Sequence, residues 1–204
     1  MRCAHGPKHA WTAASIAAGN SGRRGSRALR ADERAAALVE FALFAGLLVF
    51  GLLNMVDVSI YLYRSMELDN ATQMGVQVVW KTCDPTKRYL PATTSCGPNP
   101  PSYVTSIVTT AVQSTSLGTK VSLQSGSPAE GYYCVDSSGS LQLVQSDMTQ
   151  APPASCSTVG MANLRPADYI KITTQFSFAP MFPGITVARF FPTLLTKSAI
   201  MRLD

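Results

Sequence analysis

The fold is decided by residues 35–64, which read AAALVEFALFAGLLVFGLLNMVDVSIYLYR. From residue 35 to residue 53, every side chain except that of Glu40 is apolar or is glycine. About 20 such residues in a helix, each rising about 1.5 Å, match the hydrocarbon core of a bilayer. The stretch therefore predicts a transmembrane helix, and the rest of the chain is interpreted outward from its two ends.

The segment before this helix is strongly basic. Its formal charge of +5 equals the net charge of the whole chain. By the positive-inside rule, the leader at residues 1–34 stays in the cytoplasm and the residues after the helix are exported. The arginines lie beside a membrane span without interleaved aromatic residues, so they do not indicate a nucleic-acid partner. The cations are Arg2, Lys8, Arg23, Arg24, Arg27, Arg30 and Arg34, and the acids are Asp32 and Glu33.

Two alternatives concern this N-terminal region. Residues 19–30, GNSGRRGSRALR, are expected to be flexible and exposed, either as an arm of the protein or as an upstream start that the cell does not use. A cleaved secretory signal is the main competitor for the apolar stretch. However, residues 54–64 after it, NMVDVSIYLYR, are bulky and lack a small-x-small cleavage site. The sequence therefore disfavours conventional signal-peptidase processing.

The helix is predicted to continue beyond the membrane as an amphipathic segment. Residues 54–80 contain no proline and one glycine, and their apolar side chains recur at close to helical spacing. Asn54 and Asp57 are expected near the outer interface, where they reach water, and Tyr61 and Tyr63 suit the interfacial belt of aromatic residues. The resulting helix of roughly 45 residues is expected to end at Cys83, Asp84 and Pro85.

The exported remainder is typical of a small domain with many turns. It is rich in Ser, Thr, Pro and Gly and low in charge. After Ser102, a candidate N-cap, apolar residues recur at helical spacing, which favours a short amphipathic helix over a strand. Four or so antiparallel strands are then predicted from TKVSLQS, GYYCVD, LQLVQS, DYIKITTQFSF and TLLTKSAIMRL, the second and third joined by a hairpin turn at Gly139. In the clearest strand one face carries Ile170, Ile172, Thr174, Phe176 and Phe178.

Four of the five cysteines follow the predicted span, where the compartment is oxidising, and Cys3 lies in the leader. An even number there indicates two disulfides. The pairs Cys83–Cys96 and Cys134–Cys156 are favoured because each closes a short local loop; four free buried thiols are the alternative. A zinc site is disfavoured because no two of these cysteines form a CxxC and both histidines precede the span.

Glu40 is the residue that a plain membrane anchor does not explain. It lies about 8 Å inside the apolar stretch, where a carboxylate costs roughly 2.5–3.5 kcal/mol. Either a partner compensates its charge, or the side chain reaches the inner interface or is protonated. Position alone leaves these alternatives open.

Residues 34–53, RAAALVEFALFAGLLVFGLL, resemble the N-terminal signature of the TadE-like family of pilus-assembly pseudopilins. In that signature a basic leader precedes a Gly-A-A-A-V-E-F-A-L run and a long apolar helix. Residues 68–80, LDNATQMGVQVVW, are similar to the small-residue helical run that closes the signature, and LLTKSAIMRLD at residues 194–204 looks like the family's usual ending.

The resemblance implies processing by a prepilin peptidase on the cytoplasmic face, with the glutamate as the fifth residue after the cut. Counting back from Glu40 places the cut between Ala35 and Ala36, and Phe41 occupies the aromatic position that follows the glutamate. The family motif has glycine where this chain has Ala35. A free α-amine on Ala36 would pair with a neighbouring subunit's Glu40 inside the membrane and favour side-by-side helix packing.

The sequence therefore predicts an α+β, pilin-like fold, in which a long helix packs on a small antiparallel sheet. Its parts are a basic cytoplasmic leader (1–34), a transmembrane helix (35–63), an amphipathic continuation (64–82) and an extracytoplasmic disulfide-containing domain (83–204). The implied function is a minor pilin-like subunit or assembly factor of a tight-adherence (Flp-type) pilus secretion system. The implied location is the bacterial inner membrane, crossed once, with the C-terminal domain in the periplasm. The expected partners are membrane lipid, other pilin-like subunits, pilus-assembly proteins and the prepilin peptidase.

The alternative is a single-pass, membrane-anchored extracytoplasmic binding domain unrelated to pili. An enzyme is disfavoured, and neither a cofactor nor a metal is expected. The exported domain has no histidine, and no glycine-rich phosphate loop follows a strand. The acids are scattered, and most fall in predicted turns or on helix surfaces, where solvated charge is the ordinary explanation. The acids after the span are Glu67, Asp69, Asp84, Glu130, Asp136, Asp147, Asp168 and Asp204.

Overall fold

The computed structural model describes residues 21–83 and 90–204, with side chains from residue 35 onward in those ranges. A single helix, α1, covers Ser21–Thr82. The expectation of a flexible arm over residues 19–30 is therefore wrong from Ser21 onward. The segment before the apolar stretch is dominated by Arg, Ala, Leu and Glu, which are strong helix formers. The rest of the leader and the predicted stop at Asp84 and Pro85 lie outside the described residues.

The chain divides into two compact units, Met1–Val49 and Phe50–Asp204. In the first unit, the described side chains from residue 35 onward belong to α1 and are almost all exposed although most are apolar. By length and composition, Ala35–Thr82 is a helix that can cross a membrane, and none of its most apolar window is buried within the protein. Such a surface is matched to lipid hydrocarbon and poorly matched to water.

The second unit contains a five-stranded antiparallel sheet built around one long strand. The central strand, β4, pairs with β5 along one edge from Tyr169↔Arg202 to Ser177↔Leu194. Its other edge is shared by β2, opposite the first half of β4, and β1, opposite the second half, while β3 pairs only with β2. The strands are β1 (Val121–Leu123), β2 (Ala129–Val135), β3 (Leu141–Gln145), β4 (Ala167–Ser177) and β5 (Leu194–Arg202).

The core lies between this sheet and the second half of α1. The side chains of β4 alternate as predicted, since Ile170, Ile172, Thr174 and Phe176 are buried and Lys171 is exposed. Those side chains share one hydrophobic cluster with apolar residues of α1. The members from α1 are Leu68, Ala71, Val76 and Val79. The predicted α+β fold, with a long helix on a small antiparallel sheet, is therefore confirmed.

Two short helices complete the second unit: α2 (Ala92–Ser95) and α3 (Ser102–Gln113). The helix favoured for the region after Ser102 is confirmed, and its buried face carries Val104, Val108 and Val112. Ser102 is not the N-cap, because it is already the first helical residue and Pro101 precedes it. Gly75 of α1 lies against α3, where an added Cβ would be 3.1 Å from Val112 Cγ1.

Two disulfides hold the second unit. Cys83 is bonded to Cys96 and Cys134 to Cys156, with Cα–Cα distances of 5.5 Å and 5.7 Å. These are the two pairs that the short loop lengths favour. All four cysteines are buried, which protects the bonds from solvent reductants.

Candidate functional site on the long helix

The residues implied in processing and assembly lie within about two turns of α1. Ala35, Ala36, Glu40 and Phe41 are all exposed, and Phe41 exposes 71% of its surface. Ala36 and Glu40 are four residues apart, so they lie one above the other on one helix face with about 6 Å of axial rise between them. Among the described residues, none forms a hydrogen bond or an ion pair with Glu40. The structure thus places Ala36 and Glu40 on one face, with Ala35 and Phe41 to either side, and leaves the carboxylate without a described partner.

Asp57, unlike the exposed Glu40, is buried and hydrogen-bonded. It is 0% exposed, and its carboxylate accepts hydrogen bonds from Met181 N at 2.9 Å, from Phe182 N at 3.3 Å and from Thr186 Oγ1. The expectation that Asp57 reaches water at the outer interface is therefore wrong. The reason is that three donors of a distant loop replace its hydration shell.

Asn54, about one helical turn before Asp57, also binds this loop. Its Oδ1 accepts a hydrogen bond from Val187 N at 2.7 Å, and its Nδ2 donates to Phe50 O at 2.7 Å. Asn54 and Asp57 thus hold both ends of a short backbone segment, residues 181–187, against α1. We refer to the surrounding residues 178–192 as the apolar loop.

Tyr61 packs against the two ends of the apolar loop. Its ring centroid is 5.1 Å from that of Phe178, in an edge-on arrangement, and 4.6 Å from that of Phe191. Tyr61 is therefore half-buried against the loop, whereas Tyr63 is exposed. Their placement in an interfacial aromatic belt stays a prediction. Aromatic contacts of this kind add to the stabilisation that burial provides.

The opposite face of α1 in the second unit has no cover from the domain. It exposes large apolar side chains at intervals of four to eight residues, which places most of them along one side of the helix. We refer to these residues as the outer stripe: Met55, Leu62, Met66, Met74 and Trp80. An apolar stripe on a helix that already buries its other face indicates a surface for packing against another apolar element.

Glu67 joins α1 to the residues after α3. Ser116 Oγ donates a hydrogen bond to its carboxylate, and Arg64 forms an ion pair with it at 2.8 Å. Glu67 is buried, so the expectation that it is a solvated helix-surface acid is wrong. Its role in the structure is to connect two elements.

A pair of buried carboxyl groups, those of Glu130 and Asp168, lies on the core side of the sheet. Glu130 accepts hydrogen bonds from Ala92 N and Thr93 N, both at 2.6 Å, and so binds the first residues of α2. Asp168 lies on the neighbouring strand, where burial raises its pKa to about 8 and the negative charge of Glu130 adds to the effect. These two residues were also expected to be solvated, and burial overturns that expectation.

This carboxyl pair is not the centre of a recognisable catalytic arrangement among the described residues. Both oxygens of Glu130 are occupied by backbone N–H groups and the Thr93 hydroxyl. No group of three or more His, Cys, Asp or Glu side chains in the described ranges could hold a metal ion. The geometry fits a structural role, in which the pair positions α2 against the sheet.

The sequence did not reveal these buried acids because their partners are far away in the chain. Asp57 and Thr186 are separated by 129 residues, and Glu130 and Ala92 by 38. One indication was available for Asp57, since an acid in a largely apolar helix requires compensation. No local pattern distinguished Glu67 or Glu130 from surface acids.

A long helix with a membrane-compatible surface precedes a disulfide-bonded α+β domain, and among the described residues it is the one candidate membrane anchor. Residues 35–77 match the model of the family described as TadE-like protein. This is the family that the motif around Glu40 resembles, so the recognition from sequence is confirmed over that segment, about one fifth of the chain. The match is limited to this segment, and the family it matches is related to tight-adherence pili. No curated protein and no solved structure matched the chain.

Proposed function

We propose that this protein is a minor pilin-like subunit or assembly factor of a tight-adherence (Flp-type) pilus secretion system. It is anchored in the bacterial inner membrane by residues 35–63, with residues 1–34 in the cytoplasm and residues 83–204 in the periplasm. The observation that carries the proposal is Glu40, a carboxylate exposed on the apolar surface of the TadE-like segment. A domain that needed only an anchor would have no reason to place a charge there.

Assembly explains this carboxylate if the chain is cut between Ala35 and Ala36 by a prepilin peptidase. The cut creates an α-amine one helical turn from Glu40, on the same face of α1. A neighbouring subunit shifted along the helix axis can present its Glu40 directly to the amine, so that each charge compensates the other.

The outer stripe, which begins within residues 35–63 and continues beyond them, supports lateral packing of the same helix. Its side chains are exposed although the opposite face of α1 is buried against the sheet. Helices of other pilin-like subunits or pilus-assembly proteins would cover Leu62, Met66 and Trp80, as occurs when apolar ridges of two helices interdigitate. Membrane lipid would cover the apolar surface that precedes the stripe.

The test is the N-terminal sequence and intact mass of the membrane-extracted protein, expressed together with its own organism's prepilin peptidase. The expected mature chain begins at Ala36. In parallel, Glu40→Ala and Glu40→Gln should both reduce copurification of other pilin-like subunits and pilus formation. Leu43→Ala is the matched control, because it truncates an exposed side chain of the same helix without removing a charge.

A membrane-anchored binding domain unrelated to pili is the alternative function. It predicts an uncut chain in which Glu40→Ala changes neither subunit association nor pilus formation. An uncut chain in which Glu40→Ala still abolishes association would retain the pilus role and refute processing, with Ala35 in place of glycine as the physical reason.

A further inference from the structure

The apolar loop is unusual in composition for a loop on the surface of a domain. Its sequence, FAPMFPGITVARFFP, contains four phenylalanines and a single charged residue, Arg189. Surface loops are ordinarily rich in polar residues that remain hydrated. The composition therefore indicates that at least part of this loop is not in contact with water.

The structure buries only part of this apolar surface. Phe178 and Ala188 are buried within the domain, whereas Met181, Ile185, Val187 and Phe190 are exposed. Phe190 exposes 73% of its surface and Met181 exposes 63%. The loop keeps these side chains outward because its backbone and Thr186 are fixed to Asn54 and Asp57. The exposed side chains are thus a fixed feature of a well-bonded loop.

The point of attachment to α1 coincides with the expected edge of the membrane. Nineteen residues separate Ala35 from Asn54, which corresponds to about 28 Å of helix, close to the thickness of a bilayer's hydrocarbon core. The loop is attached at Asn54 and Asp57, just beyond that length.

We propose that the apolar loop is seated in the periplasmic leaflet of the inner membrane, at the boundary between lipid headgroups and acyl chains. Met181, Ile185, Val187 and Phe190 enter the acyl region, as apolar side chains of interfacial segments do. The Arg189 guanidinium lies 4.5 Å from the centroid of the Phe190 ring. Its long side chain reaches the headgroup level, where lipid phosphates accept its hydrogen bonds.

Lipid is favoured over a second subunit because of position and charge. The loop lies at the height where the helix leaves the hydrocarbon core, whereas the outer stripe lies on a different face of α1 and continues farther from the membrane. A single cation among apolar residues is the pattern of an interfacial anchor, and the absence of acidic residues in the loop avoids repulsion from anionic lipids. The consequence is that the domain has two membrane contacts, which fix its height above the bilayer.

The test uses the full-length chain with Cys3→Ser, reconstituted at one copy per lipid nanodisc. The lipid is a mixture of phosphatidylethanolamine and phosphatidylglycerol. A single environment-sensitive fluorophore is attached at Phe190→Cys. The matched control is Leu143→Cys on β3, which is also half-exposed and apolar but lies at the other end of the sheet. A third probe at Phe44→Cys reports the membrane anchor itself, on which this inference rests.

The expected result is blue-shifted emission at position 190, quenching by nitroxide attached to lipid headgroups or upper acyl chains, and protection from aqueous iodide. The probe at 143 should show none of these. If the probe at 44 emits as a lipid-buried fluorophore while iodide reaches the probes at 190 and 143 equally, the inference about the loop is overturned and the membrane anchor is retained. Water-exposed emission at 44 would overturn both. Protection at 190 that appears only with several copies per nanodisc would show that a second subunit covers the loop, and would also overturn the inference.

Discussion

Asp57 is the carboxylate whose removal should have the largest local effect. The change Asp57→Ala removes the acceptor for Met181 N, Phe182 N and the Thr186 hydroxyl. Each buried donor left without an acceptor costs about 1–3 kcal/mol. With partial rehydration of the loop, we expect a total loss of about 3–5 kcal/mol in the free energy of local opening, the range seen for breaking buried charged networks.

The loss should be concentrated in the apolar loop, because the sheet and its core do not depend on Asp57. Amide hydrogen exchange of the detergent-solubilised protein is the suitable measurement. Exchange at Met181 and Phe182 should accelerate by about two to three and a half orders of magnitude, since each 1.4 kcal/mol corresponds to a factor of ten. Exchange in β4 should change far less.

Asp69→Ala is the matched control. Asp69 lies on the same helix, and its hydrogen bond is with Gln73 at 3.4 Å, away from the apolar loop. Surface substitutions of this kind change stability by about 0.5 kcal/mol or less. If Asp57→Ala and Asp69→Ala gave the same exchange rates at Met181 and Phe182, the conclusion that Asp57 holds the loop would be refuted.

Three further predictions concern the second unit. Replacing Cys83 and Cys96 by serine should lower the free energy of unfolding by about 3 kcal/mol, as measured by denaturant titration, because the bond closes a loop. The free energy of unfolding should fall as pH rises from about 4 to about 8, because Asp168 in the folded state has a pKa of about 8 and holds a proton that the unfolded state has released. Asp168→Asn should flatten that decline. Gly75→Leu should destabilise the protein by about 1–3 kcal/mol, since its side chain would overlap Val112.

Each of these predictions has its own control and contrary outcome. For the disulfide variant, the untreated and the reduced wild-type proteins are the controls. Equal unfolding midpoints for the variant and the untreated wild type would contradict the expected loss of stability. A pH dependence that persists unchanged in Asp168→Asn would assign the titration to another group. Gly46→Leu is the comparison for the helix glycine, because an added Cβ there meets nothing within 4 Å; equal effects at both positions would contradict tight packing between α1 and α3.

The parts of the fold that follow local rules could be predicted from the sequence. The apolar run after Ala35 and the two-residue alternation from Ile170 to Phe176 each determine an element without reference to distant residues. The favoured cysteine pairs were also local, with separations of 13 and 22 residues. Local periodicity and short loop closure are therefore sufficient for the α+β arrangement.

The parts that depend on distant partners could not be predicted. Asn54 and Asp57 look like ordinary interfacial polar residues until Val187 and Thr186 are placed beside them. The helix before residue 35 was missed because glycine and serine among the arginines suggested a flexible arm. At the candidate site, the sequence motif identified Glu40, and the structure shows it exposed. Its proposed partner, the α-amine of a neighbouring subunit, lies on a second molecule and stays a prediction.

The bond between Cys83 and Cys96 has a mechanical consequence for a protein pulled at its helix. Tension transmitted along α1 reaches Cys83, the residue immediately after the helix, and crosses directly to Cys96 through the sulfur atoms. The intervening residues are removed from the load-bearing path, and without the bond they could extend by roughly 40 Å. A subunit extracted from the membrane by its helix would therefore transmit force to the core of the domain without first unravelling this connection.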